Sequence, residues 1–240
     1  MIHPAILDHV FAALLVVGPL IEWRWGWPRF LARLSAGVPG VRLRFYVATL
    51  LAEWLPALAL LVFWDWKLRS WSALHFAGGS PWRTALTLVA IVVLIVLQTL
   101  QRRAILASTK RIERIRRMLA FVEPLVPHTG AERRVFWAVS VTAGVCEEIF
   151  YRGFLTWYLS LWMPLVAAVL LSALLFGFGH IYLGRRQVPQ TALVGLLLSL
   201  VVLFSGSLWP AVLLHASIDW NSGELGYRVL GQAQPAAAEG

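Results

Sequence analysis

GVCEEIFYRGF, residues 144–154, decides the fold because it places three formal charges inside an apolar segment that runs from Val135 to about Leu161. A charge deep in a membrane-embedded helix is costly, and such residues are usually paired or functional. Two further polar clusters interrupt later apolar segments, FGFGH at residues 176–180 and HASID at residues 215–219. We interpret the three clusters as parts of one buried site, which the rest of the chain holds together as a membrane scaffold.

Composition supports a membrane scaffold. Of the 240 residues, 59% are hydrophobic and 14% are charged, whereas soluble domains average about 45–50% apolar and about 25% charged residues. The net charge of +9 would also suit a nucleic-acid-binding protein. The arginines, however, lie between apolar segments, where the positive-inside rule and anionic lipid account for them. We therefore expect an integral membrane protein with no nucleic-acid partner.

Seven apolar segments approach the length of about 20 residues that a membrane-spanning helix needs. They cover residues 5–21, 45–64, 84–100, 135–161, 163–179, 188–204 and 208–220. We predict an all-α, polytopic membrane helix bundle of about seven, or eight, transmembrane helices in a single domain over residues 1–231. Thr129-Gly130-Ala131-Glu132 has the pattern of a capping box, which predicts Thr129 as the N-cap of the fourth helix. The tail at residues 232–240 is rich in Ala, Pro and Gln, so we expect it to be disordered.

Residues 102–122 have the pattern of an amphipathic interfacial helix. Apolar residues recur on one face, at Ile105, Ile112, Ile115, Leu119 and Val122, and basic residues fill the remainder, at Arg102, Arg103, Lys110, Arg111, Arg114, Arg116 and Arg117. A helix of this kind lies in the headgroup region and attracts anionic lipid, so we predict anionic headgroups as a partner. The alternative is a solvated basic face that touches no lipid.

The distribution of Lys and Arg predicts the orientation. The connectors after the first, third and fifth segments carry 5, 9 and 2 of these residues, and those after the second, fourth and sixth carry 3, 0 and 0. The first set of connectors should be cytoplasmic, which places the N-terminus outside the cell and the C-terminus in the cytoplasm. The membrane would be the plasma membrane, or the inner membrane if the protein is bacterial. The first basic residue, Arg24, follows the first apolar segment, so we expect that segment to be retained and not cleaved as a signal peptide.

The paired glutamates have different surroundings on a helix. Glu148 and Arg152 stand four residues apart with the acid first, a spacing that lets them pair and offsets the cost of both charges. Glu147 points about 100° away and has no basic partner in its own helix. A buried carboxylate without a partner takes up a proton more readily than one in water, which suits a general base. We predict a structural Glu148–Arg152 pair and a reactive Glu147, with a purely structural polar network as the alternative.

The later clusters add two histidines and an aspartate. His180 follows Phe176 by four residues, and His215 precedes Asp219 by the same spacing. Taken singly, His180 could be a hydrogen-bonded core residue, and the other two could be a charge pair near a helix end. Together with Glu147 they bring Glu, His, His and Asp from three membrane segments, which is the donor set of a water-activating site.

The three clusters, in this order and at this spacing, resemble the motifs of the CAAX-protease and bacteriocin-processing family, also called the abortive-infection family. These intramembrane endopeptidases are related to the type II CAAX prenyl endopeptidases, and their motifs are Glu-Glu-x-x-x-Arg, Phe-x-x-x-His and His-x-x-x-Asn or Asp. The resemblance covers residues 129–221, and the first 128 residues resemble only generic membrane helices. It implies hydrolysis of a peptide bond in a membrane-associated or lipophilic peptide or protein. It also implies that Glu147 and His180 activate water while His215 and Asp219 face the oxyanion.

Asp219 departs from the eukaryotic prenyl-protein members, which usually have Asn at this position. An amide donates a hydrogen bond, but an aspartate donates only when protonated, so Asp219 fits better as a residue that orients His215 or as a metal ligand. Glu147, His180, His215 and Asp219 could bind zinc or a similar divalent ion through oxygen and nitrogen. We favour a site in which a metal is optional and name no certain cofactor.

Three other interpretations remain open. Cys146, the only cysteine, could act as a nucleophile with a histidine, although a small residue there also suits helix packing. The protein could be a catalytically silent membrane partner that sequesters a peptide or protein for immunity and retains the motif residues for stability. An ion or proton transporter would also place Glu and His within membrane segments, but the sequence shows no internal repeat of the kind that many transporters have.

Overall fold

The computed structural model of the protein describes residues 4–231, and within them every regular element is helical. The predicted tail at residues 232–240 lies outside the described residues. The α-helices of the described part are α1 (Ile6–Ile21), α2 (Trp27–Ser35), α3 (Val41–Trp66), α4 (Pro81–Leu106), α5 (Thr109–Leu119), α6 (Gly130–Glu148), α7 (Thr156–Ser160), α8 (Leu165–Gly179), α9 (Gln187–Ser205) and α10 (Leu208–Val229). The prediction of an all-α fold is confirmed.

Short helical turns of other types join several of these helices. Two π-helical turns, Glu22–Gly26 and Ile149–Leu155, connect α1 to α2 and α6 to α7. The segment after the first span, predicted as a tryptophan-rich connector, is therefore helical as far as Ser35. Pro28 has no N–H to donate to the preceding turn, and the π-helical turn Glu22–Gly26 directly before it is the kind of local adjustment that a proline within a helix brings.

Helices occur at all seven predicted membrane segments. By length and hydropathy, four are candidates to cross a membrane, namely Ile6–Ser35, Val41–Trp66, Pro81–Leu106 and Gln187–Ser205, and α8 is a shorter apolar helix. The helices α6 and α10 carry the charged residues of the predicted site, which lower their hydropathy. The predicted total of seven or eight spans stays a prediction.

The N-terminus of α6 has the predicted capping box. The hydroxyl of Thr129 accepts a hydrogen bond from the Glu132 N–H at 3.1 Å, and the Glu132 carboxylate accepts one from the Thr129 N–H at 3.1 Å. The same carboxylate also accepts the N–H of His128 at 2.7 Å. These bonds satisfy donors that the first turn of a helix leaves unpaired and fix where α6 begins.

Two pairs of helices approach each other closely at a glycine, which has no side chain to hold them apart. A Cβ on Gly144 of α6 would lie 2.9 Å from the Cβ of Ala216 on α10, and a Cβ on Gly177 of α8 would lie 2.5 Å from the carbonyl oxygen of Val188 on α9. Only glycine allows such an approach, since real Cβ contacts are not this short. The pairs α6–α10 and α8–α9 contain most residues of the predicted site, while Arg152 lies in the π-helical turn after α6 and His180 directly follows α8.

A buried ion pair attaches α1 to the connector after α3. Both carboxylate oxygens of Asp8 accept from Arg69, each at 2.7 Å, and Asp8 is fully buried. The guanidinium carbon of Arg69 lies 5.0 Å from the ring centroid of Trp64 and 4.8 Å from that of Trp157. Such bidentate, ring-stacked geometry suits arginine in particular.

The predicted basic helix is interrupted. The helix α4 continues to Leu106, and α5 begins at Thr109, so the amphipathic segment is a separate helix of 11 residues. No residue of α5 is buried, and its exposed positions include Lys110, Arg111 and Arg114. An amphipathic helix is thus present after α4, but it is shorter than the predicted helix over residues 102–122.

Candidate active site

The two glutamates of the first motif stand where α6 changes into a π-helical turn. Glu147 and Glu148 are the last residues of α6, and the wider turn starts at Ile149. The carbonyl of Tyr151 accepts hydrogen bonds from the hydroxyls of Thr156 and Ser172, both at 2.8 Å. These hydroxyls satisfy a backbone acceptor within the wide turn, and π-helical turns of this kind are frequent at functional sites.

The predicted pair of Glu148 and Arg152 is present and buried. Nη1 of Arg152 donates to Oε1 of Glu148 at 2.7 Å, and Nη2 donates to the carbonyl of Gly195 at 2.9 Å. Glu148 is 0% exposed and Arg152 is 2% exposed. The guanidinium also lies 4.1 Å from the ring centroid of Phe176. The arginine therefore connects the first motif to α8 and α9.

Glu148 has a second partner that the sequence did not indicate. Its Oε1 lies 2.8 Å from Nδ1 of His215, and since a carboxylate accepts hydrogen bonds, Nδ1 is the donor. This bond fixes the ring so that Nε2 points to the opposite side. The sequence indicated for Glu148 only its neighbour at i+4, because a contact between residues 67 positions apart leaves no local signal.

Nε2 of His215 faces the other two predicted carboxylates. It lies 3.8 Å from Oε2 of Glu147 and 3.6 Å from Oδ2 of Asp219. Both distances exceed a hydrogen bond, and Oε2 of Glu147 is buried with no hydrogen-bond partner within residues 4–231. Two of the four predicted catalytic residues, Glu147 and Asp219, thus face one edge of the imidazole of a third, His215.

His180, the fourth predicted catalytic residue, ends α8 and adjoins the same aromatic ring as His215. Its Nδ1 lies 3.0 Å from the carbonyl oxygen of Phe176, which can only accept, so Nδ1 carries the hydrogen and Nε2 of the neutral ring has the lone pair. The Phe176 ring centroid lies 5.0 Å from that of His180 and 5.7 Å from that of His215. Phe176 therefore contacts both imidazoles.

The predicted metal ligands do not form a metal cage as they are placed. Within the described part of the chain, no group of three or more His, Cys, Asp or Glu side chains is arranged to hold a metal ion. Nδ1 of each histidine is engaged, by Glu148 in one case and by the Phe176 carbonyl in the other. Nε2 of each ring remains available to a ligand.

Cys146 has the surroundings of a packing residue. It is 0% exposed and lies in a hydrophobic cluster with Ala57, Leu60 and Phe150. This position supports the packing interpretation over a nucleophilic thiol, because a reactive cysteine needs access and a polar or electropositive environment.

The N-terminal half also reaches the site, which the sequence reasoning did not predict. Nε1 of Trp54 on α3 donates to Thr142 on α6 at 3.0 Å, so α3 lies directly against the helix that carries the glutamates. The preceding residue, Glu53, has a buried Oε2 with no hydrogen-bond partner among residues 4–231. The signal that could have found it is a glutamate inside an otherwise apolar span.

Comparison with known protein families matches the segment that carries these residues. A family model described as type II CAAX prenyl endopeptidase Rce1-like matches residues 131–221, a segment that contains all three motifs. This segment is similar to the CAAX-protease family. The match supports the predicted resemblance to this family, and together with the apolar helices it favours an integral membrane protein. Searches of curated proteins and of solved structures returned no match to the chain.

Proposed function

We propose that the protein is an intramembrane endopeptidase that hydrolyses a peptide bond of a membrane-associated or lipophilic peptide or protein. The supporting observation is the buried, unpartnered carboxylate oxygen of Glu147, 3.8 Å from Nε2 of His215, in a segment that matches the CAAX-protease family. Two polar atoms at that separation leave room for a water oxygen at about 2.8 Å from each. The arrangement therefore suits activation of water.

In the proposed reaction Glu147 accepts a proton from water, assisted by the Nε2 lone pair of His180. The water oxygen bonds to the carbonyl carbon of the substrate, and the electron pair of the C=O bond moves to oxygen. The oxyanion then collapses, the C–N bond breaks, and the proton held by Glu147 passes to the leaving amine. General base catalysis of this kind typically contributes about 10²–10⁴-fold to the rate.

Two further residues would control His215 in this reaction. Glu148 holds Nδ1, so Nε2 is the edge presented to the oxyanion when the ring carries a proton there. Asp219 lies on the Nε2 side and, when ionised, cannot itself donate to an oxyanion. In this proposal Asp219 stabilises the protonated Nε2 of His215 by its negative charge. Arg152 holds Glu148 in place through the buried ion pair.

The test is a proteome-wide comparison of cleaved N- and C-termini in cells with wild-type protein and with Glu147→Ala. The matched control is Glu113→Ala, which removes an exposed carboxylate on α5. We expect a set of termini that disappears in Glu147→Ala and persists in the control, at equal protein abundance in the membrane. Identical termini in all three strains would refute the peptidase and favour the silent partner.

The metal question has a separate test. We propose a site in which a divalent metal such as zinc is optional, so purified wild-type protein and His180→Ala should have the same metal content. Stoichiometric zinc in the wild type that is lost in His180→Ala would instead establish a metal site.

We also propose the orientation with the N-terminus outside and the C-terminus cytoplasmic. Cys146 is the only cysteine and is fully buried, so introduced cysteines can be labelled against a silent background. A membrane-impermeant thiol reagent added to cells should label Trp162→Cys, in the connector after the fourth predicted segment, and leave Thr109→Cys unlabelled. The reverse pattern would invert the topology.

The basic face of α5 is proposed to contact anionic headgroups. Met118 is 57% exposed and Phe121 is 44% exposed, so apolar groups adjoin the basic side chains as in an interfacial helix. Native mass spectrometry of the full chain should show anionic phospholipid retained by the wild type and lost when Lys110, Arg111, Arg114 and Arg117 are all changed to Gln. Unchanged retention would leave only a solvated basic face.

A further inference from the structure

Tyr151 contributes a side chain to the candidate site at a position that the first motif leaves open. Its ring packs edge to face against Phe176, with centroids 5.2 Å apart and an angle of 85° between the planes. The same Phe176 ring contacts the imidazoles of His180 and His215. One aromatic ring therefore links Tyr151 to both histidines of the proposed reaction.

The phenolic oxygen of Tyr151 lies against Gly179, the residue directly before His180. A Cβ added to Gly179 would stand 3.1 Å from Oη of Tyr151 and 3.9 Å from Cγ of Pro19 on α1. The first of these separations is shorter than a comfortable contact of about 3.5 Å. Any side chain at position 179 would therefore crowd the hydroxyl, whereas glycine leaves the space between the end of α8 and α1 open to the close approach of a ligand.

The hydroxyl of Tyr151 has no hydrogen-bond partner within the described part of the chain, although the residue is only 7% exposed. Buried hydroxyls nearly always have a partner, because an unpaired one loses its bonds to water without replacement. Tyr46 shows the usual arrangement, since it is 1% exposed and its hydroxyl donates to the carbonyl of Leu125 at 2.6 Å. The free donor at Tyr151 therefore indicates an acceptor that binds from outside the chain.

An extended peptide carries such an acceptor at every residue, namely its main-chain carbonyl. The acceptors of the site itself are directed elsewhere, since the carboxylates of Glu147 and Asp219 face Nε2 of His215. The hydroxyl adjoins the residue before His180, which is assigned to water activation. The carbonyl that it can reach therefore belongs to the part of a substrate that flanks the scissile bond.

We propose that the Tyr151 hydroxyl, beside Gly179, donates a hydrogen bond to a main-chain carbonyl of the substrate next to the scissile bond. This inference rests on the proposed peptidase function. The carbonyl bound in this way is not the one that water attacks, so no bond forms or breaks at Tyr151 and the contact is equal in the ground state and the transition state. The substrate is then held through its backbone, independently of its side chains.

Tyr151→Phe tests the proposal, since it removes the hydroxyl and retains the ring that packs on Phe176. The matched control is Tyr46→Phe, which removes a hydroxyl that is bonded inside the fold. The probe is a synthetic peptide that spans a cleavage site lost in Glu147→Ala cells, assayed with purified full-length protein. We expect KM to rise about 3–10-fold in Tyr151→Phe, as for loss of one neutral hydrogen bond, with kcat unchanged.

Thermal unfolding provides a readout that does not depend on activity. The unfolding temperature should be unchanged or higher in Tyr151→Phe, because no internal hydrogen bond is lost, and lower in Tyr46→Phe. The KM of Tyr46→Phe should equal that of the wild type.

A series of modified peptides identifies the carbonyl. Each peptide bond near the scissile bond is replaced in turn by a trans-alkene, which keeps the shape of the chain and lacks the carbonyl oxygen. One member should lose about 3–10-fold in kcat/KM with the wild type and nothing further with Tyr151→Phe, because the hydrogen bond is already absent there. Losses that simply multiply for every member would overturn the proposal.

The remaining outcomes separate this inference from the function on which it rests. An unchanged KM in Tyr151→Phe, while Glu147→Ala is inactive, overturns the role of Tyr151 alone. Any fall in kcat also overturns it, because it indicates a contact specific to the transition state. A lower unfolding temperature in Tyr151→Phe would reveal a partner inside the fold, with the same consequence. If no Glu147-dependent cleavage exists in cells, the proposed function and this inference both fail.

Discussion

Replacing Glu148 by Gln should damage both the stability and the activity of the protein. Glu148 is 0% exposed, and its Oε1 accepts from Arg152 at 2.7 Å and from His215 at 2.8 Å. The amide oxygen of Gln can still accept both bonds, but Arg152, 2% exposed, then keeps a buried charge with no carboxylate beside it. Breaking a buried ion pair in this way costs about 3–5 kcal/mol.

The amide nitrogen of Gln adds a second penalty. It would replace Oε2, which is buried with no hydrogen-bond partner within the described residues, so its N–H groups would also lack acceptors. An unsatisfied buried donor costs about 1–3 kcal/mol. The two penalties overlap, because a 180° rotation of the amide group exchanges its oxygen and nitrogen and so relieves one of them. We therefore expect a total loss of about 3–5 kcal/mol, within the range for a broken buried pair.

Thermal unfolding in mild detergent, followed by tryptophan fluorescence, measures this loss. The control is Glu113→Gln on α5, whose pair with Arg116 is 3.2 Å long and has side chains 52% and 42% exposed, so its loss should stay below about 0.5 kcal/mol. Peptidase activity should fall in Glu148→Gln and remain in the control. Equal unfolding temperatures for the two variants would refute the claim that this buried pair organises the site.

Two further changes test the scaffold around that pair. Asp8→Ala should lower the free energy of unfolding by about 3–5 kcal/mol, because it leaves Arg69 buried without its bidentate partner. In the same unfolding assay, a loss below about 1 kcal/mol would mean that the ring contacts of Arg69 are enough to stabilise it in the buried position. Gly144→Ala should destabilise the protein by about 1–3 kcal/mol and reduce peptidase activity. The added Cβ would lie 2.9 Å from that of Ala216 and push His215 away from Glu147. The control Gly18→Ala, with no atom within 4 Å of the added Cβ, should change neither stability nor activity.

The sequence was informative wherever the signal is local. A capping box spans four residues, so Thr129 and Glu132 could be assigned from the residue pattern alone, and the i, i+4 spacing was enough to pair Glu148 with Arg152. Apolar segments likewise located the helices, since a buried or lipid-facing helix needs a long apolar run. The three motifs added the family, because their spacing reflects positions on helices that must meet.

Contacts between distant residues could not be read from the sequence. The bond from His215 to Glu148 joins α10 to α6, and the pair of Asp8 and Arg69 joins α1 to the connector after α3. Which of several buried charges will meet depends on how the helices cross, and crossing depends on close approaches such as that at Gly144. The π-helical turn at Ile149–Leu155 was also missed, because its sequence is compatible with a regular α-helix.

The glycine contacts at Gly144 and Gly177 have a consequence for how a polypeptide could enter. Each contact holds two neighbouring helices so tightly that α6 cannot separate from α10, nor α8 from α9, without breaking backbone packing. An extended chain that enters between helices must therefore do so outside these two pairs. Cross-links placed inside either pair, α6 to α10 or α8 to α9, should accordingly leave the entry of a substrate unchanged.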